Sequence, residues 1–270
     1  MTLNEAIERL NSAGVPSPDH DAREIFIHAL GLPRYMPIDR TRDFSSDLLE
    51  SLIERREVRE PLAYILGKCW FYNEEYDIDE RVLVPRPDTE ILVDYAVKHL
   101  PIGCEFLDLC TGSGCVAISV LAGTLSTRCT AVDISDGALA VARNNAEKNG
   151  VIDRLSLLKR DVMNDDLPMK SVHAVLSNPP YIPDSVCDTL SPEVMREPRI
   201  ALAGGEDGMD FYRRITPIAQ EIIDDDGFIA YEIGYDEGDK IRELAESFGL
   251  CAEIIKDYSS NDRVAVLRKK

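Results

Sequence analysis

The sequence predicts an α/β protein in which a parallel sheet follows a small helical domain. From Glu105 onward, strand-like and helix-like runs alternate, and this alternation indicates a parallel sheet covered by helices on both faces. Residues 252–268 hold two strand-like runs with no helix between them, which predicts a terminal hairpin that inserts one antiparallel strand. The other predicted strands are "EFLDL", "RCTAVDI", "LSLLKRDV", "VHAVLS" and "FIAYEIG". The first 61 residues show only helical periodicity.

The helical periodicity ends near residue 62, so the 270-residue chain divides into three predicted segments. These are a helical domain at 1–61, a β-hairpin linker at 62–85 and a larger domain at 86–270. The linker is predicted from its aromatic and β-branched composition and from turn residues at Asn73 and Glu74. In the helical domain, Thr2 and Glu5 are spaced as a capping box, and a second helix is expected to end at Gly31.

A glycine loop joins the first predicted strand to a helix in the stretch "FLDLCTGSGCVAIS". Gly112 and Gly114 allow the backbone to turn tightly and to approach a ligand beside a helix N-terminus. A plain tight turn would explain the glycines alone, but Asp133 ends the next strand about 20 residues later, where an acid binds a pair of ribose hydroxyls in Rossmann-type sheets. The combination predicts a cofactor site.

Two cofactors compete for such a site, and the surrounding acids favour one of them. NAD would place its pyrophosphate at the helix N-terminus, where Asp108, just before the glycines, would repel it. S-adenosylmethionine has no phosphate, and its ammonium or sulfonium cation suits an acid at this position. Asp161 closes the third predicted strand and is placed to accept from the adenine amino group, with Val162 against the ring. Each acid alone is typical of a solvated strand end, but the three together predict S-adenosylmethionine.

The stretch "LSNPPYIPD" places two prolines directly after an apolar strand-like run. The simplest interpretation is a strand terminator, because proline cannot donate to a sheet ladder. With a cofactor loop upstream, the four residues also predict a catalytic cup for a planar nitrogen. Asn178 offers a side-chain carbonyl and Pro179 a backbone carbonyl, while Pro180 stiffens the backbone and Tyr181 offers a ring face. Two acceptors on the nitrogen would stabilise positive charge that develops on it.

The motifs "LDLCTGSG", "AVDIS" and "SNPPY" together resemble those of class I S-adenosylmethionine-dependent methyltransferases. Enzymes of this class that methylate planar nitrogens, including adenine N6 and glutamine N5, share the N-P-P-Y tetrad after the fourth strand. The segments "PRPDTE", "EPRIALAGGEDG" and "DYSSNDRVAVLR" are similar to those of the bacterial release-factor glutamine methyltransferases, and the match covers essentially the whole chain. One departure is Cys110, where that family usually has glycine.

The resemblance implies a Rossmann-like, seven-stranded class I methyltransferase sheet and methylation of the side-chain amide nitrogen (N5) of the glutamine in the G-G-Q loop of class 1 peptide release factors. S-adenosyl-L-methionine would be the cofactor, S-adenosyl-L-homocysteine the product, and the helical domain would bind the release factor. The cofactor-binding residues are then predicted to be Asp108, Cys110, Thr111, Gly112, Ser113, Gly114, Asp133, Ile134, Asp161, Val162 and Asn178.

The methyl acceptor would meet a second set of residues. Those predicted to be both catalytic and substrate-binding are Asn178, Pro179, Pro180 and Tyr181. Arg86 is a further substrate-binding candidate, placed to orient a loop or the cofactor carboxylate, and a structural salt bridge with Glu90 is an alternative for it. Glu232 is expected near the same end of the sheet.

The net charge of −19 argues against a general nucleic-acid surface, which needs clustered basic residues. The main alternative is an adenine-N6 methyltransferase acting on DNA or RNA. Such an enzyme would require a basic recognition region, which the acidic composition does not favour. An NAD dehydrogenase and a non-catalytic adaptor fit the motifs less well.

The seven cysteines form no C-x-x-C pair, so no metal site is expected. The first residues do not read as a signal peptide and no apolar run reaches the ~20 residues of a membrane span, so we expect a cytoplasmic monomer without nucleic-acid or membrane contacts.

Overall fold

The computed structural model describes residues 1–44, 46–167 and 171–270, which form two compact units. The helical unit comprises Met1–Lys68 and Leu190–Arg196, and the sheet unit comprises Cys69–Thr189 and Glu197–Lys270. Within these described ranges, no helix combines the length and the apolar composition that crossing a membrane requires.

The helical unit begins with the helices that the sequence predicts. Its helices are α1 (Leu3–Ser12), α2 (Pro18–Leu30), α3 (Asp47–Glu57) and α4 (Leu62–Leu66). Thr2 and Glu5 form the expected capping box, and Gly31 ends α2 at φ 62°, in the left-handed region that favours glycine. Apolar side chains of α1, α2 and α3 form one buried core, so the unit has its own hydrophobic interior.

Helix α4 corrects the sequence prediction, which begins a β-hairpin at residue 62. Residues 62–66 are helical, and Tyr64 and Ile65 within them are buried. Periodicity cannot separate a strand from a helix in so short an apolar run. Packing of α4 against α2 and α3 favours the helix, and Gly67 then ends it at φ 70°.

Residues 190–196 return to the helical unit and are held there by ion pairs. The Glu193 carboxylate lies 2.9 Å from Nη2 of Arg56 and 2.5 Å from Nε of Arg59. Burial alone would raise the pKa of Glu193, but Arg59 and Arg56 lower it to about 2. The buried Arg56 also contacts Asp21 at 2.8 Å, so both of its carboxylate partners belong to the same unit.

The sheet unit contains the elements that build the candidate site. Its strands are β1 (Lys68–Phe71), β2 (Glu74–Asp77), β3 (Glu105–Leu109), β4 (Arg128–Asp133), β5 (Leu155–Lys159), β6 (Val172–Ser177), β7 (Ile223–Glu232), β8 (Leu250–Lys256) and β9 (Asp262–Lys269). Its helices are α5 (Glu90–His99), α6 (Cys115–Gly123), α7 (Asp136–Lys148), α8 (Asp184–Cys187), α9 (Asp210–Ile222) and α10 (Gly238–Ser247). Strands β1 and β2 form a separate two-stranded sheet.

Seven strands form the main sheet in the order β5-β4-β3-β6-β7-β9-β8, which confirms the predicted architecture. Strands β3 to β7 pair in parallel, and β9 lies antiparallel between β7 and β8. Every residue of β6 is buried, as expected for a strand covered on both faces. The chain moves outward from β3 through β4 to β5 and returns to the other side of β3 with β6. This reversal creates a switch point, where open α/β sheets bind ligands.

Candidate functional site

The glycine loop leaves β3 at the switch point in left-handed backbone. Gly112 and Gly114 lie at φ 56° and 80°, and the intervening turn leads into α6. A Cβ on Gly114 would lie 2.9 Å from Cδ1 of Ile118 and 3.1 Å from Cβ of Ala142, so a side chain there would collide with two helices. A Cβ on Gly112 would meet nothing within 4 Å. Glycine is therefore needed at 114 for packing, while Gly112 leaves open space beside the backbone.

Cys110, the departure from the family motif, also has a positive φ, of 60°. A side chain in this region costs about 1–2 kcal/mol of conformational energy, which glycine avoids. The half-buried Cys110 packs against the main core, and burial raises the pKa of its thiol. The backbone at Cys110 therefore adopts the left-handed conformation that glycine favours, and the cysteine side chain makes that conformation strained.

Asp108 is buried at the end of β3, with only 1% of its surface exposed. Its Oδ2 atom accepts a 2.5 Å hydrogen bond from the Thr111 hydroxyl and a 3.2 Å bond from the Ala117 backbone N–H. Burial raises the pKa of Asp108 to about 7, although both hydrogen bonds favour the ionised form. The Asp108 carboxylate thus ties the glycine loop to the start of α6 through hydrogen bonds. Its position in the sequence alone does not reveal this structural role.

The other two predicted acids accept hydrogen bonds from backbone N–H groups. Asp133 accepts from Gly112 through Oδ2 and from Ser135 through Oδ1, both at 2.9 Å, and burial raises its pKa. Asp161 accepts from the backbone of Met163 at 2.9 Å. These bonds fix both carboxylates while leaving further lone pairs for a ligand.

Asn145 supports the loop from behind and was missed by sequence reasoning. This fully buried side chain donates from Nδ2 to the Ser113 carbonyl at 3.0 Å. It also bonds the backbone of Asp77, accepting from the N–H at 2.7 Å and donating to the carbonyl at 3.1 Å. Asparagine in a helix carries no sequence signal for such a role, because the partners lie far along the chain.

The Asn-Pro-Pro-Tyr tetrad follows β6 directly, on the other side of the switch point. Asn178 donates from Nδ2 to the Thr89 hydroxyl at 3.2 Å, and that hydroxyl donates to Oε2 of Glu232 at 2.5 Å. The Tyr181 hydroxyl donates to Oε1 of the same carboxylate at 3.2 Å. Burial raises the pKa of Glu232, whereas the Thr89 bond and the guanidinium of Arg263 oppose that shift. One buried carboxylate therefore connects both ends of the tetrad.

The segment "ALAGGEDG" packs against the backbone after the tetrad. Ile182 donates to the Leu202 carbonyl and accepts from the Gly204 N–H, both at 2.9 Å. A Cβ on Gly204 would approach Cα of Tyr181 to 2.7 Å, so glycine is required there. This segment therefore fixes the path of the chain that follows the tetrad.

Arg86 forms an ion pair, but not with the residue that the sequence suggested. Its Nη2 contacts Oε1 of the buried Glu197, whose Oε2 also accepts from the Val84 N–H at 3.0 Å. Glu90 instead accepts from the backbone of Tyr72 at 2.8 Å. A separation of 111 residues between Arg86 and Glu197 explains why the nearer acid looked plausible.

A cavity of about 340 Å³ brings most of the predicted site residues together. It is lined, among others, by Arg86, Asp108, Cys110, Thr111, Gly112, Ser113, Asp133, Ile134, Asp161, Val162, Asn178 and Pro180. Gly114, Pro179 and Tyr181 do not line it. Volumes of this order are typical of small-molecule sites. The three carboxylates in its lining suit a ligand with cationic and hydroxyl groups.

The cluster of potential metal ligands in the described ranges lies elsewhere. His173, Asp224 and Asp226 offer three ligand atoms within 4.8 Å of one another. His173 belongs to the start of β6, at the opposite end of the strand from Asn178, and does not line the cavity. The cluster and the cavity therefore have no residue in common.

The fold and the site together define a class of protein. A seven-stranded sheet with a glycine loop after β3, an acid at the end of β4 and Asn-Pro-Pro-Tyr after β6 is the architecture of a class I methyltransferase. Residues 2–67 match the PrmC N-terminal domain and residues 87–205 the methyltransferase small domain. The ribosomal protein L11 methylase of Lactobacillus delbrueckii subsp. bulgaricus shares the fold, with a TM-score of 0.51 at 18% identity over 68% of this chain and 81% of that chain.

Full-length relatives define the family more narrowly. The release factor glutamine methyltransferase of Caulobacter vibrioides is 39% identical, over 97% of this chain and 93% of the relative. The release factor glutamine methyltransferase of Thermodesulfovibrio yellowstonii is 35% identical, over 92% of each chain. This chain belongs to the release factor glutamine methyltransferase family.

Proposed function

We propose that this protein transfers a methyl group from S-adenosyl-L-methionine to the side-chain amide nitrogen of the glutamine in the G-G-Q loop of class 1 peptide release factors. Membership of the family supports the activity and the substrate. The single observation that carries the proposal is the position of Asn178. It lines the same cavity as the three carboxylates and is the first residue of an intact Asn-Pro-Pro-Tyr tetrad.

The residues around the cavity fit S-adenosylmethionine. Three carboxylates, Asp108, Asp133 and Asp161, line the cavity and would repel a pyrophosphate but suit a cation, ribose hydroxyls and an adenine amino group. The open space beside Gly112 allows a ligand to approach the backbone. When bound, the cofactor supplies an electrophilic methyl group on a sulfonium. We propose that the contacts come from Asp108, Cys110, Thr111, Gly112, Ser113, Gly114, Asp133, Ile134, Asp161, Val162 and Asn178.

The tetrad supplies positioning and electrostatics rather than a strong base. An amide nitrogen is a poor nucleophile because its lone pair is delocalised into the carbonyl. Two acceptors, the Asn178 side-chain carbonyl and the Pro179 backbone carbonyl, would hold the nitrogen in line and stabilise the positive charge that develops on it. Pro180, which follows both acceptors in the chain, restricts the backbone there, and Tyr181 is proposed to flank the flat amide. Burial raises the pKa of Tyr181, so its hydroxyl stays protonated and does not act as a base near neutral pH.

The remaining parts of the proposal concern organisation and partners. We propose that the helical domain binds the release factor, that the chain acts as a monomer in the cytoplasm, where translation terminates, and that it binds no nucleic acid directly. The net charge of −19 supports the last point. A linker role for residues 62–85, which begin with helix α4, and a contact of Arg86 with substrate stay predictions.

Labelled S-adenosylmethionine tests the proposed function. The protein is incubated with a class 1 release factor, with the same factor carrying Gln→Ala in its G-G-Q loop, or with duplex DNA. We expect label on the release factor alone. Label on duplex DNA, or undiminished label on the substituted factor, would contradict the proposal and favour the adenine-N6 alternative or another acceptor residue.

A further inference from the structure

Two buried residues outside the tetrad form hydrogen bonds with its side chains. Thr89 and Glu232 are each 1% exposed, so water does not compete for their hydrogen bonds. Thr89 lies between the side chains of Asn178 and Glu232, at 3.2 Å and 2.5 Å respectively. Glu232, the last residue of β7, holds Thr89 with one oxygen and Tyr181 with the other.

The direction of these bonds follows from the number of protons available. A threonine hydroxyl has one proton to donate and two lone pairs that accept. Thr89 donates its proton to the Glu232 carboxylate, so it presents only lone pairs to Asn178. The Asn178 group that faces Thr89 must then be the NH₂ group, since two acceptors cannot share a hydrogen bond. The carbonyl oxygen of Asn178 therefore faces away from Thr89.

We propose that Thr89 and Glu232 are positioning residues that orient the Asn178 amide, so that its carbonyl oxygen, and not its NH₂ group, faces the acceptor nitrogen. The inference rests on the proposed function, because the role of Asn178 as an acceptor comes from it. A flipped Asn178 would present donors to an amide NH₂ group and would repel the nitrogen that it should hold. In this relay, Glu232 accepts the Thr89 proton, Thr89 then accepts from the Asn178 NH₂ group, and the Asn178 carbonyl oxygen is left to face the substrate.

Thr89→Val and Thr89→Ser form the matched pair that tests this relay. Valine keeps the shape of threonine and removes the hydroxyl, while serine keeps the hydroxyl. We expect Thr89→Val to lower kcat for release-factor methylation by at least about 10-fold, while the Kd for the cofactor and the KM for the release factor stay within about 2-fold. Thr89→Ser is expected to stay within about 3-fold of the wild-type kcat.

Glu232→Gln tests the direction of the relay. Its new NH₂ group can donate to Thr89, which frees the threonine proton to donate to the Asn178 carbonyl and so reverses the amide. A fall in kcat at unchanged cofactor affinity is expected. Unfolding curves are recorded for all variants, and if Glu232→Gln does not fold, the threonine pair carries the test.

A second measurement does not depend on activity. The Asn178 side-chain NH₂ signals are identified in a ¹⁵N–¹H spectrum by their absence from Asn178→Ala, and their hydrogen exchange is followed without cofactor. We expect slow exchange in the wild type and Thr89→Ser, and faster exchange in Thr89→Val. Unchanged exchange and unchanged kcat in Thr89→Val would overturn the relay, as would an equal loss of kcat in Thr89→Ser. If the wild type methylates no release factor, the proposed function fails, while the exchange data still decide whether the relay exists.

Discussion

The two halves of the site are held in place by different kinds of contact. The cofactor half comprises the glycine loop and its three acids, and most of its hydrogen bonds are local. Asp108 bonds Thr111 three residues away, and Asp133 bonds Ser135 two residues away. Turn geometry therefore determines much of this half once the strands are in place.

The acceptor half comprises the tetrad with Thr89 and Glu232, and its side-chain bonds are long-range. Asn178 reaches Thr89 across 89 residues, and Thr89 reaches Glu232 across 143. This half exists only after β6 and β7 have assembled with the segment before α5. The contrast predicts that binding the cofactor and orienting the acceptor are separable tasks, which substitutions in each half can test.

Asn178→Ala should give the largest effect. Loss of the carbonyl acceptor removes stabilisation of the charge that develops on the nitrogen, so the transfer rate should fall by about 10²- to 10³-fold. The Kd for S-adenosylmethionine, measured by calorimetry, should rise by no more than about twofold, because the other ten proposed cofactor contacts are unchanged. Asn144→Ala, at an exposed position of α7, serves as the control and should leave both quantities unchanged. Cofactor binding lost in step with activity would show that Asn178 belongs to the cofactor half.

Asp133→Asn should give the opposite pattern. An amide keeps only one acceptor, so either the Gly112 or the Ser135 N–H loses its partner, and a ribose hydroxyl would lose one as well. The Kd for the cofactor should rise about 10- to 100-fold, while transfer at saturating cofactor should change little. Asp153→Asn, an exposed acid, is the control. A wild-type Kd in Asp133→Asn would remove Asp133 from the proposed cofactor contacts.

Asp108 should make the stability of the cofactor-free protein depend on pH. Burial raises its native pKa to about 7, whereas the unfolded value is about 3.9. Between these values the native state holds a proton that the unfolded state has lost, so the contribution of Asp108 to the free energy of unfolding should fall as pH rises to 7, by up to about 1.4 kcal/mol per pH unit. Asp108→Asn should flatten that slope in denaturant titrations at pH 5, 6 and 7. An equal slope in both proteins would contradict the raised pKa.

Cys110 should give the smallest effect, and a pair of variants isolates it. Cys110→Gly removes the strain of a side chain at φ 60°, whereas Cys110→Ala keeps that strain, and both lose the thiol. Cys110→Gly should be the more stable of the two by about 1 kcal/mol, which thermal unfolding can measure. If Cys110→Ala proved equally stable, the left-handed conformation at this position would carry no cost.

The same contrast explains what could be predicted from the sequence. Strands β3 and β6 lie where the apolar runs "EFLDL" and "VHAVLS" place them, because buried parallel strands carry an unmistakable apolar pattern. Helix α4 was mistaken for part of the hairpin because five residues are too few to show a period.

Long-range partners in the site could not be predicted. The Arg86 ion pair with Glu197, the support of the loop by Asn145 and the relay through Glu232 all join residues that are far apart in the chain. No pattern within a single stretch of sequence encodes such a pairing, because the sheet must form before the partners meet. The tetrad could thus be identified from the sequence, whereas Thr89 and Glu232, which we propose orient it, could not.

A double-mutant cycle with Asn178→Ala and Asp133→Asn tests the separation of the two halves most directly. The kcat/KM for the cofactor is measured with a release factor for the wild type, both single variants and the double variant. Independent halves predict additive losses, with a coupling energy below about 0.5 kcal/mol. A coupling energy well above about 1 kcal/mol would show that the cofactor and acceptor halves act as one unit.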